Sequence, residues 1–115
     1  MKVLSNTVGS FLTGSAIADA VMALNLALTR HHQVDIVDIP FIDSQGDQSR
    51  VQLAVGWHVE LVTQTHPSAM EELLEPETTR NFTDRTSGMS EPVAVTFTLE
   101  ELRDIAWEED GALLG

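Results

Sequence analysis

The chain has 115 residues, the length of one domain. Its 18 acidic and 6 basic residues give a net charge of −12, which argues against binding to nucleic acid or to an anionic membrane. The absence of cysteine excludes disulfides, thiolate catalysis and zinc–sulfur sites, and a hydrophobic fraction of 43% favours a globular domain over a disordered acidic tail.

The N-terminal residues are too polar for a secretion signal, because Ser5, Asn6 and Gly9 interrupt the apolar run that follows Lys2. The same polar residues leave no uninterrupted apolar run long enough for a membrane-spanning helix. We therefore expect a cytoplasmic protein, with a short strand around residues 3–8.

The first predicted helix is capped by Ser15 and ends at about Arg30 or His31. Its apolar stripe faces the core and consists of Ile17, Val21, Leu24 and Leu28. Beside this stripe lie small residues and two large apolar ones: Ala16, Ala20, Met22, Ala23, Leu26 and Ala27. A helix with so little polar surface is either central or covered by a second subunit, so we expect this second set to support self-association, as a dimer.

Two antiparallel strands are predicted next. Residues 34–42 are rich in β-branched residues, and Pro40 indicates an edge position or the end of the strand. Residues 43–48 have the composition of a hairpin loop. Apolar and polar residues then alternate from Arg50 to Leu61, which predicts one long strand with a buried and a polar face, and Gly56 marks a bulge or bend.

The C-terminal half is predicted to contain shorter elements. Residues 68–71 form a capping box, whose helix reaches only Glu75 before Pro76 interrupts it. Residues 76–91 contain few large apolar residues, which predicts an irregular segment that can include a short helical turn. A strand at 93–97 and a second capped helix from Thr98 follow, and residues 111–115 form a tail that either frays or docks.

These elements predict a single α+β domain over residues 1–115. Its two layers are an antiparallel sheet of about three to four strands and a helical layer formed by the long N-terminal helix and the C-terminal helix.

Three functional motifs are incomplete in this chain. The glycine spacing from Gly9 to Gly14 imitates a phosphate loop, but Ser15 stands where the lysine is required. The segment 43–47 begins like a calcium loop but lacks the following glycine and the final glutamate. The four histidines have no metal-ligand spacing. We therefore predict no metal and no cofactor.

One set of residues is a candidate for acid–base chemistry. His58 and Glu60 lie two residues apart on the polar face of the predicted long strand, with Arg50 further along the same face. Because side chains two apart in a strand project the same way, a base and an acid would converge there. The alternative is a solvated sheet face.

The charge is concentrated after Trp57. Residues 58–115 hold thirteen acids and three arginines, whereas residues 1–57 have a net charge of only −2. Glu100, Asp104 and Glu108 follow a helical spacing and form an acidic stripe, which is either a solvated face or a surface for a basic protein partner.

The sequence therefore favours a small acidic interaction module that self-associates over an enzyme. Two alternatives stay open. One is a small-molecule-binding domain or minor enzyme that uses the face around His58 and Glu60, and the other is an acidic mimic that binds a basic protein.

Overall fold

The computed structural model describes residues 1–67 and 69–89, which form an α+β arrangement of two helices and a five-stranded antiparallel sheet. The elements are β1 (Lys2–Ser5), β2 (Ser10–Thr13), α1 (Ser15–Arg30), β3 (Val34–Ile42), β4 (Gln48–Gly56), β5 (Val62–Thr65) and α2 (Pro76–Gly88). The strand order is β4-β3-β2-β1-β5. The predicted fold class is confirmed, with five strands rather than three to four.

The sheet packs on α1, whose apolar stripe is the centre of the core. Five α1 residues are buried: Ile17, Ala18, Val21, Leu24 and Leu28. They meet buried residues of three strands, namely Leu4, Val37, Ile39, Leu53 and Val55. Gly14 is the N-cap, so Ser15 is the first helical residue and not the cap that the sequence predicts. The Ser15 N–H is satisfied instead by the carboxylate of Glu72.

The β3–β4 hairpin is the longest pairing in the sheet and matches the prediction. It runs in continuous register from Val34↔Gly56 to Ile42↔Gln48. In its turn, Asp43 Oδ1 accepts hydrogen bonds from the backbone N–H groups of Gln45 and Asp47, both at 2.9 Å. Asp side chains favour turns because they accept hydrogen bonds from backbone N–H groups of the same turn. This explains why the loop forms where the composition predicts it.

The predicted long strand from Arg50 to Leu61 is wrong beyond Gly56. Gly56 has a φ of +113° and His58 a φ of +63°, so the chain turns between them. The chain then returns as β5, which pairs with β1 on the far side of the sheet. A residue without Cβ turns the backbone where others would be strained, so Gly56 ends the strand rather than bending it.

The N-terminal residues form a hairpin rather than the single strand predicted around residues 3–8. β1 and β2 pair from Lys2↔Thr13 to Ser5↔Ser10. Asn6 Oδ1 closes their turn by accepting hydrogen bonds from the N–H groups of Val8 and Gly9.

Residues 76–88 form α2, where the sequence predicts an irregular excursion. Pro76 occupies the first turn, where a missing N–H has no cost, and Phe82 is buried in the core. Residues 69–75 are not helical, so the predicted helix before Pro76 is wrong; Ser68 itself lies outside the described residues. The predicted strand at 93–97, the helix from Thr98 and the tail at 111–115 also lie outside them.

The two helices run side by side in the same direction. At one end, Ala16 and Ile17 line a cleft with Thr79 of α2. At the other end, the His31 ring nitrogen Nε2 hydrogen-bonds the carbonyl of Met89 at 2.8 Å. α2 therefore lies beside α1, in the helical layer.

Candidate functional site

One edge of the sheet, along β4, offers unpaired backbone groups. The Trp57 N–H donates to the Gln33 carbonyl at 2.9 Å, next to the Val34↔Gly56 pair. Hydrogen bonding alternates along antiparallel strands, so Val55, Leu53 and Val51 also bond toward β3. The intervening residues Arg50, Gln52 and Ala54 direct their N–H and C=O groups away from β3. Because β4 is the terminal strand, none of the described strands pairs with them.

A groove of about 590 Å³ runs beside this free edge. Its walls come from β4, from the turn between β1 and β2, and from the segment that follows β4. The lining residues are Asn6, Thr7, Val8, Phe11, Val51, Gln52, Leu53, Ala54, His58, Val59 and Glu60. Val8, one of these lining residues, is 89% exposed. The groove therefore combines apolar and polar side chains with the outward backbone groups of β4.

The sequence-predicted acid–base set is only partly assembled. His58 and Glu60 both line the groove, although they lie on the chain reversal and not on a strand. Arg50 is not among the lining residues. Its Nε donates to Asp38 Oδ1 at 2.6 Å and its Nη1 to Glu75 Oε2 at 2.9 Å. These hydrogen bonds, first that to Asp38 and then that to Glu75, raise the pKa of Arg50.

A cluster of three aromatic rings includes the groove residue His58, and sequence reasoning missed it. The ring of Trp57 lies 4.1 Å from that of His32 and 4.4 Å from that of His58, between centroids. Both histidines have positive φ, at +54° and +63°. Non-glycine residues adopt this conformation at a cost, and such positions cluster at functional sites. The signal available in sequence was the pair Trp57-His58 directly after a strand glycine.

The β3 edge that faces away from β4 is protected, in contrast to the β4 edge. β2 pairs with β3 only at Leu12↔Ile42, which leaves most of this edge without a strand. Asp35 Oδ1 accepts the N–H of Ile36, and Arg85 Nη1 of α2 donates to the Ile36 carbonyl at 3.2 Å. Pro40 stands further along the same edge and has no N–H to leave unpaired. β3 is second in strand order and not a terminal strand. Pro40 nevertheless lies on a side of β3 that is mostly without a neighbouring strand, as the sequence predicts for a proline.

The β4 region is one of several acid-free stretches of the described chain. Between Asp47 and Glu60 lie twelve residues without an acid, and Arg50 is their only charged side chain. Since the whole chain carries −12, most of its surface repels another acidic molecule. Residues 1–18, 20–34 and 61–70 are also free of acids, so charge alone does not distinguish the β4 edge from these other surfaces.

The second surface of α1, predicted for self-association, is partly covered within the chain. Ala20 and Met22 pack against the core, and Ala16 lines the cleft beside α2. Leu26 is 51% exposed, Ala23 is exposed and Ala27 is half-buried. The stripe of Glu100, Asp104 and Glu108 lies outside the described residues.

Comparisons and further searches assign no function to these features. Neither a family model, nor a curated protein, nor a solved structure matches the chain. Within residues 1–67 and 69–89, no three His, Asp or Glu side chains are grouped as a metal site would require. Neither of the two described helices is long and apolar enough to cross a membrane.

Proposed function

We propose that this chain is a small non-enzymatic interaction module whose binding surface is the β4 edge with its groove. The observation that carries the proposal is the outward-facing backbone of β4, of which Gln52 and Ala54 lie beside a groove with apolar and polar walls. Strand addition uses this combination: main-chain hydrogen bonds supply affinity, and pockets for alternate side chains supply specificity. The module would act in the cytoplasm and would self-associate, as the sequence leads us to expect.

Long free edges are normally blocked, because they invite pairing with other chains. In this molecule α2, Arg85 and Pro40 block the β3 edge, whereas the nine-residue β4 lacks an equivalent block within the described part of the chain. A strand-accepting module requires one unpaired strand edge, here that of β4, and protection of the other exposed edge, here that of β3.

The test is hydrogen exchange of single backbone amides, followed by NMR over a concentration series of the chain. The N–H groups of Gln52 and Ala54 should become protected as a strand partner binds. The outward-facing N–H groups of Thr63 and Thr65 in β5, the other terminal strand, serve as the control. Protection confined to β4 supports the proposal.

Native mass spectrometry of protein isolated from its own host separates the alternatives. A retained small molecule whose presence shifts the resonances of His58 and Glu60, with the amides of Gln52 and Ala54 unprotected, would favour the small-molecule alternative. A retained basic protein that leaves those amides unprotected would favour the acidic mimic. Either result contradicts strand addition at β4.

A further inference from the structure

We propose that α2 is a strap: it opens as a unit while the sheet and α1 stay folded, and in its closed position it covers the β3 edge. The open state is a minor population under native conditions. This inference goes beyond the proposed function and does not depend on it, because it concerns the β3 edge and not the β4 edge.

The core is almost complete without α2. Ten buried residues form the core cluster of the described chain, and nine of them lie between Leu4 and Val55. The five described strands and α1 all lie within residues 2–65. α2 contributes one buried residue, Phe82, and the half-buried Met89 follows at its end. Opening of α2 therefore withdraws one buried side chain and breaks none of the strand pairings of the described sheet.

α2 has little helical stability of its own. Eight of its 13 residues are Thr, Ser, Asn, Asp or Gly, which are poor helix formers. Isolated helices shorter than about 12–15 residues are marginal in water even when they are rich in alanine. We therefore expect α2 to unfold when it leaves the rest of the chain, so that its backbone becomes accessible to solvent and to proteases.

The contacts that hold α2 on the β3 edge are polar and partly exposed. Arg85 Nη1 donates to the Ile36 carbonyl at 3.2 Å and pairs with Asp35 Oδ2 at 3.3 Å. Partly exposed ion pairs contribute little to stability, because water screens them. At the end of α2, the His31 ring hydrogen-bonds the carbonyl of Met89. An element with few buried apolar contacts opens at a lower free energy than the core does.

The chain before α2 is anchored separately, which places the hinge next to Pro76. The carboxylate of Glu72 pairs with the N-terminal ammonium at 2.9 Å and accepts the Ser15 N–H. The carboxylate of Glu75 pairs with Arg50 of β4, also at 2.9 Å. None of these contacts requires α2 to be docked, so they hold the preceding segment in place while α2 opens.

Opening of α2 exposes the side of β3 that lacks a strand neighbour. The alternation of hydrogen bonds directs the backbone groups of Val34, Ile36 and Asp38 away from β4. The side chains of Val34 and Ile36 are already 58% and 59% exposed. Once Arg85 is withdrawn, β3 presents free main-chain groups beside exposed apolar side chains, and such an edge invites strand pairing.

Trypsin tests the strap in the natural chain, because it cleaves after arginine only where the backbone is locally unfolded. α2 contains two such sites, Arg80 and Arg85, and β4 contains one at Arg50, which opens only with the sheet. When opening is fast relative to cleavage, the cleavage rate follows the population of the open form. Under native conditions we expect cleavage within α2 to be at least about tenfold faster than cleavage at Arg50.

Hydrogen exchange gives a readout that does not depend on cleavage. The amides of α2 should exchange through a local opening that depends only weakly on low concentrations of urea, because little surface is exposed. The N–H groups of Val37 and Ile39 point toward β4 and serve as the control. They should exchange only on global unfolding, with a strong dependence on urea.

Two matched variants test the contact made by Arg85. Asp35→Asn removes the ion pair with Arg85 and leaves both cleavage sites of α2 in place. We expect cleavage within α2 to become about two- to fivefold faster, as the loss of a partly exposed ion pair predicts. Asp38→Asn is the control, since it makes the same change on the same strand but Asp38 pairs with Arg50. It should leave cleavage within α2 unchanged.

Two results would overturn the strap. If cleavage and exchange in α2 are no faster than in β3 and β4, α2 opens only when the whole fold unfolds. If Asp35→Asn and Asp38→Asn accelerate cleavage within α2 equally, the contact of Arg85 with the β3 edge does not hold α2 closed.

Discussion

The sharpest stability prediction concerns Gly56, the residue that ends β4. Its φ is +113°, and a Cβ built on it would lie 2.2 Å from the carbonyl oxygen of Gln33 and 3.0 Å from the Cβ of Leu28. A non-glycine residue in such a conformation costs about 1–3 kcal/mol. Relieving the clash by overpacking costs a further 1–3 kcal/mol or so. We expect Gly56→Ala to lower the free energy of unfolding by about 4 kcal/mol, a large part of the roughly 5–15 kcal/mol of a typical domain.

The control for this variant is Gly46→Ala in the hairpin turn. Gly46 also has a positive φ, +83°, but nothing lies within 4 Å of the Cβ position. It should therefore show the conformational cost alone, about 1 kcal/mol. Urea unfolding of both variants, followed by far-ultraviolet circular dichroism, measures the difference. If Gly56→Ala is no more destabilising than Gly46→Ala, the proposed clash with Gln33 is refuted.

Three further predictions test other parts of the fold. Phe82→Ala should cost about 3–5 kcal/mol in urea unfolding because Phe82 anchors α2 in the core, and a cost below about 1 kcal/mol would contradict that packing. Thr13→Val should cost about 1–3 kcal/mol in the same assay, since the buried Thr13 hydroxyl donates to the Pro40 carbonyl; a neutral result would contradict this bond's contribution. The Ser15 N–H and the N-terminal ammonium lower the pKa of Glu72 from 4.5 to about 2, so its stabilisation is complete above pH 4.5 and is lost as the pH falls toward 2. Glu72→Gln should reduce the fall in the free energy of unfolding between pH 4.5 and pH 2. An unchanged pH dependence would contradict the assignment to Glu72.

The parts of the fold that could be predicted are those set by local patterns. The apolar stripe of α1 and the strand at residues 34–42 end where the sequence predicts them. The turn of the β3–β4 hairpin is stabilised by Asp43, a residue within the turn itself. In each case the residues that determine the element lie inside it or beside it. Such information is present in a single sequence.

The errors arose where distant contacts determine the structure. Apolar alternation continues past Gly56 to Val59 and Leu61, so it could not reveal that β4 ends there. Trp57, on the buried side of that alternation, is 37% exposed because the chain has already turned. α2 is mostly polar, and Phe82 is its one buried residue. Phe82 packs in the core with residues of α1 and the sheet, which are distant in sequence.

The candidate site could be predicted only in fragments, for the same reason. His58 and Glu60 were found together because they are close in sequence, and both line the groove. Arg50 was grouped with them by strand periodicity, but Asp38 and Glu75 hold it elsewhere. The free edge itself is a property of strand order. No local pattern indicates that β4 is terminal, or that β5 pairs with β1 instead of with β4.

The two sides of the β3–β4 hairpin show how one chain can separate folding from association. On the β3 side, Arg85 and Asp35 satisfy both polar groups of Ile36, and Pro40 removes a donor. Their ion pair, at 3.3 Å, is half-exposed and contributes little to stability on its own. Its position over an open strand edge gives it a different effect, which is to prevent pairing there. On the β4 side, none of the described strands pairs with the outward N–H and C=O groups of Gln52 and Ala54. Under the proposed function, the protected β3 edge thus serves folding, and the free backbone of β4 serves association.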